Sequence, residues 1–251
     1  MTVGGFVRSV RIPSEPPEGA AAYPWVLPAI RRAAALDHGL ALHESVTYLI
    51  GENGSGKSTL LEAIAVAVGI NPEGGSSNFA FSTRESHSSL GESITLVRGP
   101  SRPRTDFFLR AESLFAAATY LDDLDGDGPP VALNAYGGRS LHEQSHGESF
   151  LAVILKRFGP QGFYLLDEPE AALSTQNCLT FLRRVHELVQ DGSQLVIATH
   201  SPIILAYPEA SIYSFSDSGL ERVLYDDAEP VRLTQNFLAG RQRFLTELLR
   251  D

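Results

Sequence analysis

The chain has 251 residues, 43% hydrophobic and 20% charged, enough to bury a sizeable core in one domain. A net charge of −10 repels phosphate backbones at long range and disfavours nucleic-acid binding over the whole surface. The lone Cys178 excludes an internal disulfide framework, and no apolar run nears the roughly 20 residues that cross a bilayer, so we expect a cytoplasmic protein without direct membrane insertion.

VGGFVRSVRI opens the chain as a strand, and the Pro/Glu/Gly-rich stretch 13–19 turns it. VTYLI (46–50) reads as a β-branched, apolar strand. STLLEAIAVAV (58–68) follows as a helix with Leu60, Leu61, Ile64 and Val68 on one face, ended by Gly69 and Pro72. ESITLVR (92–98) is expected to be a strand, ESLFAAATYLDDL (112–124) a helix and DGDGPP (125–130) a loop. SFLAVILKRF (149–158) is a helix stopped by Gly159-Pro160, and GFYLLD is a strand. Residues 175–191 show a helical apolar face of Cys178, Phe181, Leu182, Val185, Leu188 and Val189. QLVIAT (194–199) is another buried strand, and SIYSF (211–215) with ERVLY (221–225) an antiparallel pair. The tail RQRFLTELLR (241–250) is an amphipathic helix expected to pack on its own core. The alternation argues for an α/β fold with a mostly parallel central sheet, an antiparallel β subdomain and a small helical lobe. We read 1–251 as one domain, with a core from about 1–72 and 143–251 and an inserted β/helical lobe over 73–142.

After VTYLI comes GENGSGKST, residues Gly51, Glu52, Asn53, Gly54, Ser55, Gly56, Lys57, Ser58 and Thr59, which matches G-x-x-x-x-G-K-[ST] between a strand and a helix. The glycines let backbone N–H groups turn toward a phosphate at the positive end of the helix. Lys57 is expected to reach the β- and γ-phosphates, and Ser58 to ligate Mg²⁺. A chain with 18 arginines keeps only two lysines, one of them here.

FYLLDEPE (163–170) ends an apolar strand in two adjacent acids, a repulsion that a divalent cation relieves. Asp167 is read as the Mg²⁺ residue and Glu168 as the base that polarises the attacking water. Glu170 fits a helix-dipole role. EQSHGES (143–149) precedes a helix. Ser145 and Glu148 have capping-box spacing there, and the stretch also lies just upstream of the acidic strand. His200, in ATHSP at the end of the next strand, is placed to reach the γ-phosphate.

Together these four elements resemble the ABC-type P-loop ATPases over roughly residues 1–225. GENGSGKST is similar to Walker A, FYLLDEP to Walker B with its catalytic glutamate, and AALS (171–174) to the D-loop. QSHGE (144–148) is similar to the ABC signature, and His200 to the switch histidine. DEPEAALS and ATHSPIIL look like the small soluble ATPases that carry an AAA-family label, related to the heads of chromosome-maintenance, recombination-repair and phage-defence proteins. The resemblance implies ATP and Mg²⁺ as ligands and a homodimer that sandwiches ATP, with Ser145, Gly147 and Glu148 of one copy facing the Walker loops of the other. Three departures stand out: His146 within the signature, Ser174 in place of the D-loop aspartate, and no Gln between Walker A and residue 143. Asn78, Ser82 or Thr83 are the candidates for the missing glutamine, and Tyr23 or Trp25 for an aromatic against adenine. The function expected is Mg²⁺-dependent ATP hydrolysis. The alternatives are a transporter's ATP-binding subunit and an ATPase head in DNA repair or phage defence. Arg98, Arg102 and Arg104 form a basic cluster that we read as a solvated face.

Overall fold

The computed structural model describes residues 5–76, 89–111 and 146–250. The helix expected at 112–124, the loop at 125–130, and Asn78, Ser82, Thr83 and Ser145 lie outside the described residues. The chain begins with strand β1 (Val7–Arg11), a short helix α1 (Pro28–Ala34) and strand β2 (Leu40–Ala41). Strand β3 (Val46–Gly51) leads through the glycine-rich loop into helix α2 (Lys57–Val68). A single helical turn α3 (Leu90–Ser93) precedes β4 (Thr95–Arg98) and β5 (Thr105–Arg110). Helix α4 (His146–Arg157), β6 (Gly162–Asp167), helix α5 (Thr175–Gln190) and β7 (Gln194–Ala198) follow. The hairpin of β8 (Ser211–Ser216) and β9 (Gly219–Val223) precedes helices α6 (Glu229–Ala239) and α7 (Arg241–Leu248).

The six-stranded sheet runs β5-β6-β7-β3-β8-β9. Its first five strands pair in parallel, and only β9 runs against its neighbour. β3, β6 and β7 are buried along their whole length, the pattern of strands covered on both faces. Successive side chains feed two cores. Tyr48, Ile50, Tyr164, Leu166, Leu195 and Ile197 pack against α4 and α5, whereas Leu49, Phe163, Leu165, Val196 and Ala198 pack against α1 and α2. A second, antiparallel sheet of β2, β1 and β4 closes over the α2 side. This sheet is the antiparallel subdomain expected from the sequence.

Three local expectations change. Residues 92–94, expected as strand, belong to the α3 turn and its exit, because Leu90 and Gly91 are buried there. The segment 73–142 is not wholly outside the core. It supplies β4 to the antiparallel sheet and β5, which the sequence reading missed, to the edge of the main sheet. The tail helix α7 buries none of its residues. Its neighbour α6 itself buries only Val231, and α7 meets it through an edge-on Phe237–Phe244 ring pair.

Candidate nucleotide site

Parallel strands present all their carboxyl ends at one edge, and β3, β6 and β7 are adjacent there. The loop after β3 turns through Gly51, Gly54 and Gly56, with φ of 139°, 82° and 104°. At Gly51 the requirement is steric as well, since a Cβ would lie 2.1 Å from the Phe215 carbonyl oxygen on β8. Gly56 caps α2 in the left-handed region and leaves the first amides of the helix without a side-chain acceptor. Lys57 is buried, and its ammonium bends back to donate to the carbonyls of Gly51 (2.6 Å) and Glu52 (2.9 Å). Burial pushes its pKa below the ordinary lysine range, against the opposing pull of Glu168, Asp167 and Glu170. The buried Ser55 hydroxyl has no hydrogen-bond partner, which suits a loop built to receive acceptor oxygens.

Asp167 ends β6 and is buried, and Ser58 Oγ donates to its Oδ1 at 3.1 Å. The two residues read as Mg²⁺ ligands therefore meet, and they present the oxygen donors a hard cation takes. Burial raises the Asp167 pKa to about 6, despite the lowering influence of Arg110 and Ser58. Glu168 takes a left-handed conformation (φ 49°, ψ 53°), its amide donating to Ala198 O on β7 at 3.0 Å. The turn sends consecutive acids in different directions, Asp167 toward α2 and Glu168 toward His200. His200 Nε2 lies 3.7 Å from Glu168 Oε1, is shielded from solvent and has no hydrogen-bond partner.

Two more residues hold this arrangement: Glu170, read from the sequence only as a helix-dipole acid, and Arg110, which the sequence reading did not single out. Glu170 accepts hydrogen bonds from Thr199 Oγ1 (2.7 Å) and from the His200 backbone amide, fixing the end of β7. Arg110, the last residue of β5, pairs with Glu62 of α2 at 2.6 Å and with Asp167 at 3.5 Å. It stands beside the acidic strand, in register with Asp167. The signal available was the register of an edge strand that had gone unrecognised.

The remaining candidates separate. Gly147 and Glu148 lie in the first turn of α4, where a Cβ on Gly147 would approach Ala172 O and Asn177 rather than the glycine-rich loop. Ser174, at the D-loop aspartate position, caps α5 by accepting from the Asn177 amide. Trp25 is buried and donates to Pro13 O, so its ring belongs to the core. Tyr23 is exposed and its hydroxyl meets Thr59 Oγ1 at 2.9 Å, beside the phosphate loop. A cleft of about 540 Å³ opens along Gly51, Glu52, Asn53 and His200. Its far wall is the start of α6, including Glu229 and Leu233, another element the sequence reading missed. Among the described residues, no helix is long and apolar enough to cross a membrane.

A family profile described as "AAA domain" matches residues 37–102, and one described as "AAA domain, putative AbiEii toxin, Type IV TA system" matches 134–206. Among solved structures, cbiO1 from Clostridium perfringens, part of the ABC transporter complex cbiONQ, is 15% identical with a TM-score of 0.49 and covers 96% of this chain and 99% of that one. The SMC head domain from Thermotoga maritima is 16% identical at a TM-score of 0.40, covering 73% of this chain and 91% of that one. A dimeric ATP-binding cassette in a post-hydrolysis state, bound to ADP and Pi, is 18% identical at 0.43, covering 74% and 89%. No curated protein matches the chain. The first profile takes in the loop shaped to wrap a phosphate, and the second takes in the acids and the histidine opposite it. Two separate AAA-domain profiles thus fall on the two halves of the candidate site, one on the glycine-rich loop and one on the acids and His200.

Proposed function

We propose that this protein hydrolyses ATP to ADP and phosphate with Mg²⁺, and that two copies sandwich the nucleotides between them. The observation that carries the reading is the meeting of Ser58 with Asp167 and of His200 with Glu168 at the carboxyl edge, where Lys57 already lies folded onto its own loop. Lys57 exchanges its two carbonyl acceptors for the β- and γ-phosphate oxygens, a stronger charge-assisted contact. The loop amides from Gly54 to Thr59 follow the same phosphates. Ser58 and Asp167 hold Mg²⁺, which offsets phosphate charge when bound. Glu168 takes a proton from the attacking water, and His200, 3.7 Å from it, donates to the γ-phosphate. Tyr23 is the aromatic best placed for the base, given its exposure beside Thr59. Ser145, Gly147 and Glu148 serve the second copy's triphosphate, the role that the likeness of QSHGE (144–148) to the ABC signature implies.

Turnover of ATP by the purified chain and by Glu168→Gln tests this. General-base loss costs on the order of 10²–10⁴ in rate, so the variant is expected to bind ATP and barely hydrolyse it. Equal turnover by the two proteins removes Glu168 from the mechanism. A second reading, work within a toxin–antitoxin or defence system, is favoured by the description of the profile over 134–206. It changes the task and keeps the site chemistry. Growth arrest on expression that needs Glu168 supports it, and arrest that persists in Glu168→Gln speaks against it.

A further inference from the structure

Arg110 on β5 stands in register with Asp167 on β6, so two parallel strands end in opposite charges side by side. The guanidinium is held at two points, Nη1 to Glu62 Oε1 at 2.6 Å and Nε to Asp167 Oδ2 at 3.5 Å. Its Cζ also lies 5.7 Å over the Phe108 ring, which limits where it can move. Glu62 sits one turn beyond Ser58 on the same face of α2, and Ser58 takes the other oxygen of Asp167. Ser58, Asp167, Arg110 and Glu62 thus form a chain of contacts that crosses from helix to sheet and back to the same helix. The side chains of Arg110 and Glu62 are only 21% and 26% exposed, so solvent screens the pairs weakly.

A cation therefore already rests on the carboxylate that the proposed function assigns to the metal. Two cations on one carboxylate repel with the inverse of their separation, and more strongly in a half-buried site than in water. The contacts are unequal: the bond to Glu62 is short, and the one to Asp167 lies at the long end of ion pairing. We propose that Arg110 is a positioning residue, a resident counter-cation that competes with Mg²⁺ for Asp167 and withdraws onto Glu62 when the metal binds. The inference rests on the ATPase reading.

The test titrates the full chain with a non-hydrolysable ATP analogue, with and without Mg²⁺, and takes the ratio of the two Kd values as the metal dependence. Coupling between two ligands typically spans about 5- to 150-fold. Arg110→Gln is expected to raise the ratio by roughly fivefold or more, and Glu62→Gln to lower it by a similar factor. If Glu62 acts through Arg110, adding Glu62→Gln to Arg110→Gln changes the ratio by less than about twofold. A ratio that holds or falls in Arg110→Gln overturns the proposal. So does a Glu62→Gln effect of equal size in both backgrounds, which marks a simple additive field. Should Arg110→Gln lack a cooperative melt, Glu62→Gln alone decides, and an unaltered ratio there overturns it. A wild-type chain that binds no nucleotide defeats the ATPase reading itself, whereas wild-type binding with unmoved variants defeats only the role of Arg110.

Discussion

At Glu170, one carboxylate accepts from the Thr199 hydroxyl and the His200 amide, so an acid in the turn after β6 anchors the residue at the end of β7. Hydrogen bonds to charged groups contribute about 1.5–3 kcal/mol each. Glu170→Ala is therefore expected to destabilise the chain by about 3 kcal/mol, the low end for two such bonds because the side chain is half-buried, and to lower kcat more than it changes ATP affinity, measured by denaturant unfolding and steady-state kinetics. Asp167 supplies a pH dependence. Its carboxyl titrates near 3.8 when unperturbed and at about 6 in the fold, so between these values the folded state binds more protons. Stability of the metal-free chain then falls as pH rises through that window, and Asp167→Asn flattens the fall in melts recorded in chelating buffer. Lys57, Ser58, Asp167, Glu168 and His200 were legible because each occupies a fixed offset from a strand end. Glu170 and Arg110 were not, because an acid near a helix start and an arginine among 18 carry no such mark. Their partners are set by register between strands distant in sequence.

Among the elements, β3, β6 and β7 could be read because burial on both faces leaves an unbroken apolar run, bounded by glycine, proline or acid. β5 mixes Thr105, Asp106 and Arg110 with three apolar residues, the composition of an edge strand, and so lacks that signal. α6 buries only Val231, too little to imprint a helical stripe, and α1 is only seven residues long, too short to show one. Two substitutions probe the joints between elements. Gly51→Ala places a Cβ against the Phe215 carbonyl at a positive φ, and is expected to cost about 2–4 kcal/mol. Retained stability would mean that β3 and β8 part more readily than their close approach implies. Ser174→Ala removes the α5 cap and is expected to cost about 1 kcal/mol in thermal or urea unfolding.

For the whole molecule, the proposed function makes the state of association depend on nucleotide. Glu168→Gln with ATP and Mg²⁺ is expected to double in mass by light scattering and to return to a single copy with ADP. A mass that ignores nucleotide would leave Ser145, Gly147 and Glu148 without the role proposed for them. The sheet architecture was legible from the strand–helix alternation. The placement of 73–142 was not, because its strands add to sheets whose other members come from elsewhere in the sequence. The Ala111 amide bonds to Asp167 O at 3.4 Å just before residue 112, and Gly147 abuts Ala172 just after residue 145. Ala111 and Gly147 are thus both rooted on one short span, 167–172. A substitution that shifts this span therefore moves the end of β5 and the start of α4 together, so the acidic turn couples two elements far apart in sequence.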